Sequence, residues 1–317
     1  MIVASKADDV TPARAHAAEW VTHRERGSMT TLRMMTFVSL HMGRRVGRVL
    51  LYLTVAYYFC FAPHARRHAR AYLRRALGRE PTAADRFRHV LSFATTIHDR
   101  VYLVNQRFDL FDITIEGEAL VQDALTAGDG AFLMGSHVGS FEVIRSVGRR
   151  APGLNIALAM YEDNARMLNR MLATINPAAK PDVIALGRVD AMLKIQEYLA
   201  RGAFVGVLGD RTLGNEPAQE VCFLGATARF PLGAMRAAAI MRRPVIFMIG
   251  LYRGANRYHV VFEKLADFSN VEPKQREAEV RAAIERYAAL LEKYCRSDPY
   301  NWFNFFDFWH GTDGAPA

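Results

Sequence analysis

Two short runs in this 317-residue chain end on charged residues whose types suit acid–base chemistry. The first is Gly130–Glu142, GAFLMGSHVGSFE. Ala131–Met134 is apolar and fit for a buried strand, Gly135-Ser136-His137 follows it, and a helix is expected to open near Ser140. His137 then stands in the turn at the carboxyl end of a strand, where open α/β sheets collect their reactive groups. A neutral imidazole, with a reference pKa of about 6.5, can take a proton from a hydroxyl near neutral pH. A carboxylate on its other nitrogen fixes the tautomer and steadies the imidazolium, and Glu142 is the expected partner. Five residues put two side chains about 140° apart on one helix, but a histidine in the loop lets the glutamate fold back. Ser136 and Gly139 flank the base and are expected to border the substrate, with Gly135 and Gly139 leaving room for it against the backbone. Amides at the helix start are candidates for holding an oxyanion. The same spacing also suits a histidine that only hydrogen-bonds at a strand end, with Glu142 paired to Arg145 three residues on.

The second run is Gly206–Arg211, GVLGDR, where Asp210 and Arg211 emerge from another apolar stretch and point to the same rim. Arg211 suits a phosphate or a developing oxyanion, and Asp210 can orient it or a substrate group. A structural ion pair is the alternative. In Phe223–Gly233, FLGATARFPLG, the glycines and the Phe-Pro step suggest a loop over the site. Phe223, Gly225, Phe230, Pro231 and Gly233 are its candidate substrate contacts, lining an acyl channel or else packing the core. No G-x-S-x-G elbow is present, which speaks against a serine esterase. A metallohydrolase built on His137, Glu142 and Asp210 lacks further histidines at ligand spacing, so no metal is expected. Cys60, Cys222 and Cys295 lie too far apart to suggest a zinc site or a disulfide framework.

These residues need a scaffold, and the rhythm of the chain supplies one. Residues 16–107 read as mostly helical, with breaks at Pro63 and Pro81. From about Asp112, short apolar runs alternate with amphipathic stretches. Ile113–Glu116, Ala131–Met134, Asn155–Met160, Val183–Leu186, Phe204–Leu208, Val245–Gly250 and Tyr258–Glu263 suit strands. Glu118–Thr126, Phe141–Arg150, Asn164–Ile175, Val189–Arg201, Leu232–Met241 and Lys274–Cys295 suit helices, with Pro231 in a first helical turn and Gly202 as a stop. The expected fold is α/β, a central largely parallel or mixed sheet flanked by helices. The expected organisation is a basic helical segment over 1–107, a catalytic α/β domain over 108–310 and a loose tail over 311–317.

The net charge of +9 is concentrated at the start. Residues 1–80 hold 14 Lys and Arg against 5 Asp and Glu, and the rest of the chain holds 27 of each sign. Val49–Ala62, VLLYLTVAYYFCFA, is apolar and flanked by Arg44, Arg45 and Arg48 on one side and by Arg66, Arg67, Arg70, Arg74 and Arg75 on the other. Such a helix reaches about 21 Å, short of the roughly 30 Å hydrocarbon core. It suits a helix lodged in one leaflet with arginines at the headgroups, so an anionic membrane surface is the expected partner. Nucleic acid is not, because the basic residues flank a greasy run instead of interleaving with exposed aromatics. A core helix with a solvated basic neighbour is the plainer alternative.

In order, these blocks resemble the lysophospholipid acyltransferase superfamily, and within it the lipid A biosynthesis (lauroyl/myristoyl-type) acyltransferases. His137 and Glu142 within GSHVGSFE match the first block, Gly209-Asp210-Arg211 the middle one, and Phe223-Leu224-Gly225 with Phe230-Pro231-Leu232-Gly233 the later one. Pro244-Val245 resembles the last proline-containing strand, and the likeness spans about Trp20–Trp309. The resemblance implies transfer of a fatty acyl group from a thioester of acyl carrier protein or coenzyme A to a hydroxyl of a lipid or glycolipid. The thioester is a co-substrate and no cofactor is implied. It also implies a place on the cytoplasmic face of a bacterial inner membrane. Glu142 stands where glycerolipid enzymes carry aspartate, which favours the lipid A-like branch over a glycerophospholipid pathway. Tyr300–Trp309, YNWFNFFDFW, and Glu25–Ser28 resemble instead a subgroup found with pigment-lipid (aryl polyene) pathways. Burial of that aromatic tail against the fold is expected. A lipid-binding protein without catalysis is the non-enzymatic alternative.

Overall fold

The computed structural model describes residues 29–61, 63–150, 154–179, 181–212 and 216–309. The expectations for the lead-in, for Glu25–Ser28 and for the tail over 311–317 lie outside the described residues. Among the described residues, three helices precede the sheet: α1 (Met29–Phe61), α2 (Pro63–Leu77) and α3 (Ala83–Val104). α1 is kinked at Gly43, whose φ of 82° is not helical. α3 opens with a capping box, Thr82 accepting from the Asp85 amide while the Asp85 carboxylate accepts from that of Thr82.

A short 3₁₀ turn (Phe108–Leu110) leads into β1 (Asp112–Glu116), and then follow α4 (Glu118–Ala127), β2 (Ala131–Gly135), α5 (Phe141–Arg150), β3 (Ile156–Tyr161), α6 (Glu162–Ile175), β4 (Asp182–Leu186), α7 (Ala191–Ala200), β5 (Phe204–Leu208), β6 (Ala218–Phe223), β7 (Ala226–Pro231), α8 (Gly233–Met241), β8 (Pro244–Tyr252), β9 (Arg257–Asp267) and α9 (Arg276–Ser297). Seven strands form one mixed sheet in the order β1-β9-β8-β2-β5-β3-β4, with β8 and β9 antiparallel and the other neighbours parallel. The α/β class and the seven expected strands match this sheet.

Side chains alternate along each strand, so a strand covered on both faces is apolar throughout. β2 has that character. Phe132 and Met134 join a core with α2, α7, α8 and α9, whereas Ala131 and Leu133 join a second core with the end of α3 and with α5. α1 is fastened to this body by a buried network. Arg44 donates twice to Asp99 at 2.8 Å, Tyr258 donates to the same carboxylate at 2.9 Å, and Tyr102 donates to the Ser39 carbonyl at 3.0 Å.

One stretch differs from expectation. Phe223–Gly233 is not a loop over the site but the turn and second strand of a hairpin, followed by the start of α8. Leu224 and Gly225 take φ of 51° and 79°, so the turn has the left-handed pair that matches strand twist. Pro231 closes β7 opposite Ala218 and does not open a helix. The alternation of apolar and polar residues here was hidden by the Leu-Gly and Phe-Pro steps.

Candidate active site

The register of two strands brings the acid–base groups together. Gly135, the last residue of β2, pairs with Leu208, the last residue of β5. Two residues beyond each lie His137 and Asp210. The Gly209 amide donates to the Gly135 carbonyl at 3.0 Å, and so does the Tyr287 hydroxyl, at 2.8 Å, which fixes the exit of both strands. An added Cβ at Gly209 would stand 2.5 Å from the Met134 sulfur, so a larger residue there displaces the end of that side chain.

His137 Nδ1 lies 2.9 Å from Asp210 Oδ1. Asp210 Oδ2 accepts from the His137 backbone amide at 3.0 Å and from the Trp302 indole Nε1–H at 3.0 Å. Asp210 is 1% exposed and the His137 side chain 31%. With an ionised Asp210, Nδ1 carries the ring proton and Nε2 is left as the basic nitrogen. Desolvation, and then the charge of Arg211, hold the imidazole pKa below its usual 6.5 against the upward pull of Asp210. The ring is therefore neutral at pH 7. Burial alone would raise the Asp210 pKa, but His137, Arg211 and the Trp302 N–H outweigh it and hold it far below the usual carboxylate range.

Glu142 is placed differently from expectation. Its carboxylate, 5% exposed, meets Arg145 Nη1 at 3.3 Å and Arg100 Nε at 3.9 Å, whereas the carboxylate on the imidazole is that of Asp210. The physical reason is helical spacing. Three residues put Glu142 and Arg145 on one face of α5, and the strand register has already delivered Asp210 to Nδ1. Ser136 is buried next to His137. Gly139, with φ of 68°, does not open the backbone to a substrate. It lies against β8, where an added Cβ would stand 2.0 Å from the Gly250 carbonyl oxygen. Ahead of the helix, the Gly139 amide donates to the Asn301 carbonyl at 2.8 Å and the Ser140 amide to that of Gly250 at 2.7 Å, which fixes the loop against β8 and the tail.

Arg211 donates to the Phe303 carbonyl at 3.4 Å and lies over the Phe306 ring at 5.0 Å, next to the His–Asp pair. Phe223 and Phe230 are fully buried and pack edge-on against each other at 5.5 Å, and Phe223 meets Trp302 at 5.3 Å. Both rings belong to the core. Gly225 is in the hairpin turn, and Gly233 opens α8. Among the described residues no three His, Cys, Asp or Glu side chains gather where they could hold a metal ion. The residue that sequence reasoning missed is Trp302. Nothing within the tail points to Asp210, which is 92 positions away. The pairing of His137 with Asp210 does have a signal, since both stand at the same distance beyond neighbouring parallel strands.

Compared with models of known protein families, residues 27–310 match the one described as bacterial lipid A biosynthesis acyltransferase. No curated protein matches the chain.

Proposed function

The chain belongs to the bacterial lipid A biosynthesis acyltransferase family, and from that premise we propose that it moves a fatty acyl group from an acyl thioester to a hydroxyl of a lipid or glycolipid, with His137 as general base and Asp210 as the carboxylate that orients it. Family membership supports acyl transfer to a lipid acceptor. The observation that carries the mechanism is the 2.9 Å contact between Asp210 and Nδ1 of an imidazole still reachable by solvent.

The acceptor hydroxyl gives its proton to His137 Nε2 as its oxygen attacks the thioester carbonyl carbon. Asp210 stabilises the imidazolium that forms. The tetrahedral intermediate collapses with cleavage of the carbon–sulfur bond, and the thiolate recovers the proton from the ring. Arg211 is a cation whose charge acts on both members of the pair, and it suits the charge that develops on the carbonyl oxygen. Glu142 acts at one remove, by holding Arg100 and Arg145.

A place at the cytoplasmic surface of the bacterial inner membrane accords with α1. Val46, Val49, Leu50, Leu53 and Tyr57 form an exposed stripe at helical spacing, while Leu51 and Val55 face inward. Next to the stripe, Arg44, Arg45 and Arg48 border a cleft of about 880 Å³ with Leu110 and Asn256. Apolar side chains beside guanidinium groups suit an interfacial helix on anionic lipid. Among the described residues no helix is long and apolar enough to cross a membrane.

The test is acyl transfer by purified protein from acyl carrier protein and coenzyme A thioesters to a panel of lipid A precursors, pigment lipids and glycerophospholipids. His137→Ala is expected to lower the rate about 100-fold or more, with vesicle binding retained. Undiminished turnover by this variant would discard the mechanism, and lipid binding without turnover of any donor would favour a binding protein. Mass spectrometry of lipids from cells with and without the gene identifies the acceptor.

A further inference from the structure

The aromatic tail expected merely to pack against the fold does more than pack. Its residue Trp302 is 1% exposed and donates its indole N–H to Asp210 Oδ2, the oxygen that His137 Nδ1 does not use. Its backbone is paired with the histidine loop. Val138 and Trp302 form an antiparallel bridge, the Phe303 amide donates to the His137 carbonyl at 2.9 Å, and the Gly139 amide donates to the Asn301 carbonyl at 2.8 Å. The loop carrying the imidazole therefore runs as a short strand beside the tail.

The indole has little freedom to turn away. Tyr72, Phe223 and Phe308 meet its ring edge-on at 4.9, 5.3 and 4.8 Å. The Trp302 carbonyl is held by His89 Nε2 at 2.7 Å, and the Asn301 side chain bonds both the amide and the carbonyl of Tyr252, at 2.8 and 3.1 Å. A buried carboxylate keeps one orientation only when donors fix both oxygens. Two of the three donors to Asp210 belong to His137, which is the group to be oriented. The indole N–H is the donor independent of it.

We propose that Trp302 is a positioning residue of the acyl-transfer site, its indole N–H setting the plane of the Asp210 carboxylate that aligns His137, so that the C-terminal aromatic segment belongs to the catalytic apparatus. This inference rests on the acyl-transfer role of His137 proposed above. It assigns to the tail a task that the packing of aromatic rings does not require.

The discriminating variant replaces Trp302 with benzothienylalanine, which keeps the bicyclic shape and puts sulfur where the N–H was. Trp302→Phe is the genetically simple counterpart, and Phe308→Leu is the packing control, since it loosens the same ring cluster without touching Asp210. Removal of the N–H is expected to lower kcat about tenfold, to leave KM unchanged and to move the acid limb of the pH profile. The downfield proton resonance of the His137 Nδ1–H is expected to shift in the full-length protein. Phe308→Leu is expected to lower the melting temperature with the pH profile and the resonance unchanged. A wild-type kcat, pH profile and resonance in the benzothienyl protein would overturn the inference, as would equal effects from Phe308→Leu. If His137→Ala keeps full activity, the parent mechanism fails, and the resonance still reports whether the indole holds the pair.

Discussion

Glu142 and Arg145 form an ion pair at 3.3 Å in which the side chains are only 5% and 11% exposed, and Arg100 reaches the same carboxylate from α3. Removing one member of a buried pair leaves the other charge without compensation, at a cost of about 3–5 kcal/mol. Glu142→Gln is expected to destabilise the protein by about that amount in urea unfolding and to lower activity through the loss of folded enzyme. The pH dependence of the fraction that remains folded is expected to match wild type. A displaced acid limb in Glu142→Gln would return the glutamate to the proton-transfer machinery.

The pH profile itself follows from the site. Desolvation and Arg211 hold the His137 pKa below 6.5, and the base is active only when neutral. Activity is therefore expected to fall as pH drops through a value below 6.5, measured as kcat/KM for the free enzyme. Arg211→Gln removes one of the two causes and should move that limb upward. A limb at or above 6.5 in wild type, or a downward move in the variant, would contradict the assignment.

Much of this architecture was legible because each signal was local. Ala131–Met134 is a continuous apolar run bounded by glycine, and Phe204–Leu208 is apolar around Gly206 and ends at Gly209; such runs become the central strands of a sheet covered on both faces. The site was half legible. His137 and Asp210 were visible as charged residues at two strand ends, but which carboxylate meets the imidazole depends on strand order. β2 neighbours β5, which is a non-local fact. Glu142 was nearer in sequence and proved to belong to the helix face of Arg145. The Trp302–Asp210 bond joins the tail to a strand end, and no period or turn residue encodes such a contact.

The glycines separate backbone strain from steric conflict. Gly139 and Gly225 both have positive φ, 68° and 79°. An added Cβ at Gly225 meets nothing within 4 Å, so Gly225→Ala should cost only the left-handed penalty of about 1–2 kcal/mol. At Gly139 the same atom meets the Gly250 carbonyl oxygen at 2.0 Å, and at Gly250 it meets that of Ser140 at 2.5 Å. Ala at either position is expected to cost roughly 3 kcal/mol or more and to displace the histidine loop. Equal melting temperatures for Gly139→Ala and Gly225→Ala would show that the loop yields easily.

His89 gives folding an acid sensitivity distinct from the titration of His137. It is buried in α3 with Nε2–H donating to the Trp302 carbonyl at 2.7 Å, and burial pushes its pKa down to about 4 against that bond. The unfolded chain takes up a proton near pH 6.5, whereas the folded chain does so only near 4, so the unfolded state binds more protons between these values. Stability is full above pH 6.5 and is lost as pH falls toward 4, by on the order of 3 kcal/mol. His89→Gln keeps a donor for the Trp302 carbonyl and removes the titration. Its unfolding free energy is expected to lack this component between pH 6.5 and 4. Urea unfolding across that range is the measurement, and identical pH slopes in wild type and variant would show that His89 is not the group responsible.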